Sequence, residues 1–267
     1  MTRDIHIVSI IAAIVLFAAL LAPTLVRAQD VAAYLAEGDN LAEKLYNNSG
    51  ALNAYRKAEA LEPNNYTVLW RISRAYVDIA EHMPAASDNQ KDEQLAVYTK
   101  ALDYANKAVK ANPSGMMGYL RRAIANGRVA LFKGVFSVVG LVKDVRTDLE
   151  KAIALNNEDK HHAGIAHYVL GRTHAKVCEK PYLVRLPLGL GWGDRDVAAR
   201  EFETAIRLSP NFIMFRLDAA RNYVEIEEYG KARAHLAAIA TLQLRDEDDQ
   251  HFKKEASALL NSIANED

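Results

Sequence analysis

Three arginines in this chain repeat one arrangement. Arg74, Arg172 and Arg221 each stand four residues after a large apolar side chain, namely Trp70, Tyr168 and Leu217. On a helix that spacing sets each guanidinium one turn along from its neighbour. A guanidinium fork holds two oxygens of a carboxylate or phosphate, and an aromatic ring beside it adds stacking and apolar contact. This is the chemistry of gripping an anionic group, with Asp39, Asp78 and Glu225 as the acids that could instead pair with the arginines internally. Groups able to break bonds are scattered. His161, His162, His167 and His174 invite a metal, but no carboxylate or cysteine at helical spacing completes a ligand set. They are read as packing residues, and no metal is expected. Cys178, the single cysteine, has no base beside it. Gly189-x-Gly191-x-Gly193 follows no strand-like run, so it reads as a turn around Trp192, not a dinucleotide loop. No nucleophile elbow or His-Glu-x-x-His pair occurs, so neither a catalytic residue nor a cofactor is expected.

The arginines need helices to carry them, and the sequence supplies helices in a repeating form. Ala51-x3-Tyr55-x2-Ala58-x4-Pro63 returns as Ala101-x3-Ala105-x2-Ala108-x4-Pro113 and as Ala198-x3-Phe202-x2-Ala205-x4-Pro210. A further copy, Val145-x3-Leu149-x2-Ala152-x4-Asn157, has Asn where the others have Pro. Small, large, small and a helix-stopping residue resemble the second helix of a tetratricopeptide (TPR) repeat. Each copy is preceded by a helix with a small residue between two larger ones, around Gly38, Ser73, Ala123 and Gly171, and a fifth such helix centres on Ala220. The expected fold is all-α: a right-handed solenoid of about five TPR-like helix pairs with inserts and a C-terminal closing helix. In such an array the first helices line a concave surface, and Arg74, Arg172 and Arg221 share one position on it. Trp70, Arg74, Tyr168, Arg172, Leu217 and Arg221 are therefore the candidate binding residues.

The period is longer than that of a plain TPR because inserts separate the helices of the middle pairs: His82–Glu93, Leu131–Leu141 and Lys180–Arg195. Five pairs with inserts at these places resemble the regulator of microtubule dynamics family and its bacterial relatives. The residues carrying the resemblance are Asp148–Leu155, Tyr168–Arg172, Ala199–Ile206 and the acidic Asp246–Asp249 before a last helix. The resemblance implies a TPR-like domain acting through protein or lipid contact. The insert over 130–142 is apolar, too short to span a bilayer, and is a possible lipid or membrane contact if exposed.

The formal net charge of -1 gives no basic face for nucleic acid, so none is expected as a partner. At the N-terminus, Arg3 precedes an apolar run over 5–22, then Pro23 and Val26-Arg27-Ala28. This reads as a signal peptide over residues 1–28, leaving a TPR-like domain over 29–267. Cleavage after Ala28 exports the chain to the periplasm; an uncleaved run anchors it in the membrane. The expected function is non-catalytic binding of a protein or peptide in the bacterial cell envelope through the concave groove. The alternative is a small anionic or lipid ligand in the same groove.

Overall fold

The computed structural model describes residues 27–133 and 138–267, and every regular element among them is helical. In chain order these are α1 (27–43), then α2 (Asn48–Leu61), α3 (Tyr66–Glu81), α4 (Asp88–Ala111), α5 (Met116–Lys133) and α6 (Val139–Leu155). There follow α7 (Lys160–Cys178), α8 (Tyr182–Arg185), α9 (Arg195–Leu208), α10 (Ile213–Val224), α11 (Tyr229–Thr241) and α12 (Asp249–Ser262). The helices pack in sequence as the pairs α3/α4, α5/α6, α7/α9 and α10/α11, and α12 closes the array against α10 and α11; α1 meets α2 where Tyr55 donates to Asp39. The expected all-α solenoid of five pairs and a closing helix is the fold found. The leader over 1–28 lies almost wholly outside the described residues.

The repeated spacing builds the pairs because it leaves one face of each second helix small at two points and large between them. Ala51, Tyr55 and Ala58 of α2 are fully buried, as are Ala198, Phe202 and Ala205 of α9. Burying one such aromatic side chain stabilises by about 1.5–3 kcal/mol. The opposing helix must then come close. A Cβ placed on Gly171 would meet the Phe202 ring at 3.0 Å and the Ala198 carbonyl at 3.1 Å. Where Ser73 takes that position, its hydroxyl donates to the Ala101 carbonyl at 2.8 Å, so the close approach itself satisfies the buried oxygen.

Helix ends follow capping chemistry. Asn65 accepts from the amides of Thr67 and Val68 to start α3, Asp159 and Asp194 do the same for α7 and α9, and Ser87 with Gln90 forms a capping box on α4. The Asn that replaces proline after α6 has its own task. Asn157 accepts from the Met116 amide and donates to the Ser114 carbonyl, tying one turn of the solenoid to the preceding one.

The inserts differ in kind. Much of the first is the N-terminal part of α4, which begins at Asp88. Of the second, residues 134–137 lie outside the described residues; Val138 is buried, Phe132 leans on Tyr98, and Leu131 is exposed. The third carries α8 and the glycine turn, where Gly189 takes φ 67° and Arg146 lies over the Trp192 ring.

Candidate functional site: the concave face

Cross-helix ion pairs join first helices of neighbouring pairs: α1 to α3, α3 to α5 and α7 to α10. At the C-terminal half of this network the organising residue is Asp218 of α10. Its carboxylate accepts from Tyr168 Oη of α7 at 2.7 Å and from Arg221 Nη1 at 2.7 Å, and pairs with Arg172 Nε at 3.3 Å. Arg221 also reaches Glu255 of α12 at 2.7 Å. Burial and the adjoining carboxylate raise the Tyr168 phenol well above its usual range, so it remains a neutral donor.

At the N-terminal half, Asp39 of α1 is the acceptor. It takes Arg71 Nε and Nη2 of α3 at 2.7 and 2.8 Å, a two-pronged pair, and Tyr55 Oη at 2.7 Å. Burial works to raise the Asp39 carboxyl, but these donors outweigh it and hold the group below the usual carboxylate range. Arg74 binds Glu43 at 2.6 Å and contacts Asp78 at 3.4 Å. Between the halves, Glu81 of α3 pairs with Arg128 of α5. Burial raises the Glu81 carboxyl against the pull of Arg128, and the Arg172 guanidinium acts on it as well.

Arg74, Arg172 and Arg221 stand on α3, α7 and α10, and Arg172 and Arg221 meet at Asp218. Their side chains are 20%, 44% and 46% exposed. Trp70, Tyr168 and Leu217, expected beside them, are buried core residues; Arg172 lies over the Tyr168 ring at 5.7 Å, whereas the Trp70 ring carries Arg71 and Arg121. Asp78 pairs with Arg74; Asp39 serves Arg71, and Glu225 serves Arg195. The neighbour of each arginine was not legible in one dimension, because the acids come from several helices at spacings the superhelix sets.

The histidines separate. His167 bonds Glu201 at 2.6 Å, His174 stands edge-on to Trp192, His162 bonds the capping carboxylate of Asp159, and His161 stacks on Phe212. Burial and the neighbouring His162 push His161 down to about 4, so it is neutral at pH 7. Among the described residues, no group of three or more His, Cys, Asp or Glu could hold a metal ion.

Two features were missed in the sequence. Arg121 of α5 is buried at 7% exposure, and its Nε has no hydrogen-bond partner. The only signal was an arginine directly following Leu120 on the apolar side of its helix. The second is the third insert, where Tyr182, Leu183 and Leu186 are exposed, Leu183 to 82%. No described helix is long and apolar enough to cross a membrane. The acidic loop before α12 also reaches back to the first two pairs, with Glu247 accepting from Asn48 at 3.1 Å and lying 3.4 Å from His82 Nε2.

A family model described as regulator of microtubule dynamics protein 1-3 matches residues 34–264. Among curated proteins, regulator of microtubule dynamics protein 1 of Bos taurus is 27% identical over 232 residues, covering 83% of this chain and 67% of its own. The Mus musculus protein of that name is 26% identical, covering 83% of this chain and 69% of its own. Among solved structures, a thermophilic TPR protein of Thermus thermophilus superposes with a TM-score of 0.63 at 17% identity, covering 86% of this chain and 99% of its own. Pseudomonas aeruginosa pilF gives 0.54 at 15% identity, covering 88% and 89%. These structural likenesses establish a TPR solenoid fold.

Proposed function

The chain belongs to the regulator of microtubule dynamics protein 1-3 family, and on that premise we propose that it is a non-catalytic scaffold gripping a protein or peptide along its concave face, in the bacterial cell envelope. The observation that carries this is the state of Arg172. It lies over the Tyr168 ring at 5.7 Å and pairs at 3.3 Å with Asp218, an acid already engaged by Tyr168 and Arg221, and is 44% exposed. It is held by Tyr168 and Asp218 while nearly half of the side chain stays accessible, which suits an acidic side chain of a bound segment. The names of the curated relatives speak of microtubule dynamics; what we carry over is the binding array, because the N-terminal segment reads as an export signal. On this reading the N-terminal run directs the chain to the periplasm, or holds it at the membrane when uncleaved.

A second reading concerns the membrane. The exposed Tyr182, Leu183 and Leu186 form a larger apolar candidate for lipid contact than the described part of the insert over 130–142, where Leu131 is exposed but Val138 is buried and Phe132 is packed.

The test is capture of partners from envelope extract by the full chain and by an Arg172→Ala/Arg221→Ala variant, read by mass spectrometry. A partner held by wild type and lost by the variant, with helical circular dichroism unchanged, is expected. Each charge-assisted bond lost should cost about 1.5–3 kcal/mol of binding. A variant that keeps its partners but melts early makes the two arginines structural and overturns the proposal.

A further inference from the structure

Helix α5 holds a buried cation with no acid in contact among the described residues. Arg121 is 7% exposed, yet among the described residues its guanidinium makes no ion pair, and its Nε meets no acceptor. Its charge lies within the field of Arg74, Asp78 and Arg71, the residues of the N-terminal half of the network. Those neighbours are already occupied: Arg71 by Asp39, Arg74 by Glu43, and Asp78 by Arg74. What Arg121 has is the Trp70 ring, 5.7 Å away. Arg71 covers the same ring at 4.2 Å, and the edge of His162 approaches it at 5.9 Å. A single π face shared by two guanidiniums offsets only part of the cost of burying an unpaired charge.

Burial, reinforced by the nearby Arg74 and Arg71, brings Arg121 down to about 10, so it is still protonated at neutral pH. An uncompensated buried charge is among the most destabilising features a fold can carry, and replacing it by an apolar side chain is ordinarily neutral or stabilising. Its presence calls for a ligand that supplies the missing charge.

We propose that Arg121, seated on Trp70 and backed by Arg74, is an oxyanion-binding site that receives a carboxylate or phosphate group of the bound ligand. The site deepens the scaffold reading, since a glutamate or aspartate of a gripped segment supplies such a group, and to that extent it rests on that reading. A free oxyanion would satisfy the same chemistry.

The experiment uses the full chain at constant ionic strength with chloride as background, and reads the melting temperature. Inorganic phosphate, a glutamate-rich peptide and its glutamine counterpart are the probes. They are applied to wild type, Arg121→Met and Arg172→Ala/Arg221→Ala. In chloride alone, Arg121→Met is expected to melt at or above wild type. Phosphate or the glutamate peptide is expected to raise the melting temperature of wild type by a few degrees and to leave Arg121→Met unmoved. If Arg121→Met melts below wild type in chloride, the arginine is structural and the site is refuted. An equal response to both probes in the two proteins, or no response in wild type, refutes it as well. The two proposals separate cleanly. A partner lost by the double variant but kept by Arg121→Met leaves the scaffold standing and removes the site. A phosphate response that needs Arg121, with no response to the glutamate peptide, leaves the site as one for a free oxyanion and removes the peptide reading.

Discussion

The two halves of the ion-paired network use arginine in opposite ways. In the C-terminal half, Arg172 and Arg221 are nearly half exposed and share Asp218, with Glu255 as a second partner for Arg221. In the N-terminal half the cations sit deeper. Arg71 is clamped by Asp39 and Arg74 by Glu43, while Arg121 is buried and, among the described residues, has no acid in contact. The shared acid Asp218 is itself only 13% exposed, so it is the arginine ends of these pairs, not the pairs as a whole, that face solvent and can meet a partner. A buried group without its counterpart is costly. Depth, not residue type, therefore separates a surface that can exchange partners from one that needs a specific occupant.

Both halves presuppose one repeat register, and the largest effect tests that. Gly171→Leu forces new side-chain volume between α7 and α9, against Phe202 and the Ala198 carbonyl, and is expected to cost about 3 kcal/mol or more. Gly189→Leu, in the third insert, meets the flexible end of Lys143 and must adopt φ 67°, a strain of about 1–2 kcal/mol. Equal denaturant midpoints for the two variants would break the register on which the comparison depends.

The next effect sharpens the contrast of depth. Asp39→Ala strips the acceptor from the fully buried Tyr55 and from the clamped Arg71, and should cost about 3 kcal/mol. Asp218→Ala leaves behind two arginines that water can reach, together with the Tyr168 hydroxyl, and should cost about 2 kcal/mol. Urea unfolding of the two variants measures the difference; a larger loss for Asp218→Ala reverses the assignment of depth. Because the Asp39 carboxyl is held below its usual 3.8 in the folded state, its contribution is present above that pH and fades as pH falls through the lowered value. The gap between wild type and Asp39→Asn should therefore close in strong acid.

The smallest effect concerns the contact that links the two ends. His82 lies 3.4 Å from Glu247 and 3.6 Å from Asp248. Burial works to lower its basicity, but the Asp78 carbonyl and these two carboxylates raise it above the ordinary 6.5. A raised folded value means that the stabilisation is complete below about 6.5 and is lost as pH climbs through the folded value. His82→Gln should lower the melting temperature slightly at pH 6 and not at pH 8, an effect within about 1 kcal/mol for so exposed a pair. A deficit that is the same at both pH values would show that the contact carries no charge.

The sequence by itself determined the helix pairs, their number and the places where they are interrupted. These depend on spacing within one helix or between neighbours: Ala198, Phe202 and Ala205 make a face wherever they are put on a helix, and Gly171 marks the close approach because no larger side chain fits there. It also assigned Arg74, Arg172 and Arg221 to one repeat position, on the helices that became α3, α7 and α10. Only the tertiary structure decided how each charge is compensated. Asp218 lies 46 residues from Arg172 in the chain yet pairs with it, because the superhelix stacks α7 beside α10. Trp70 and Tyr168 became floor, not wall, because adjacent helices close over their rings. Arg121 was invisible as a site for the same reason. Nothing in its neighbours along the chain reveals that the surrounding helices would bury it without supplying an acid; charge compensation is a property of the assembled array.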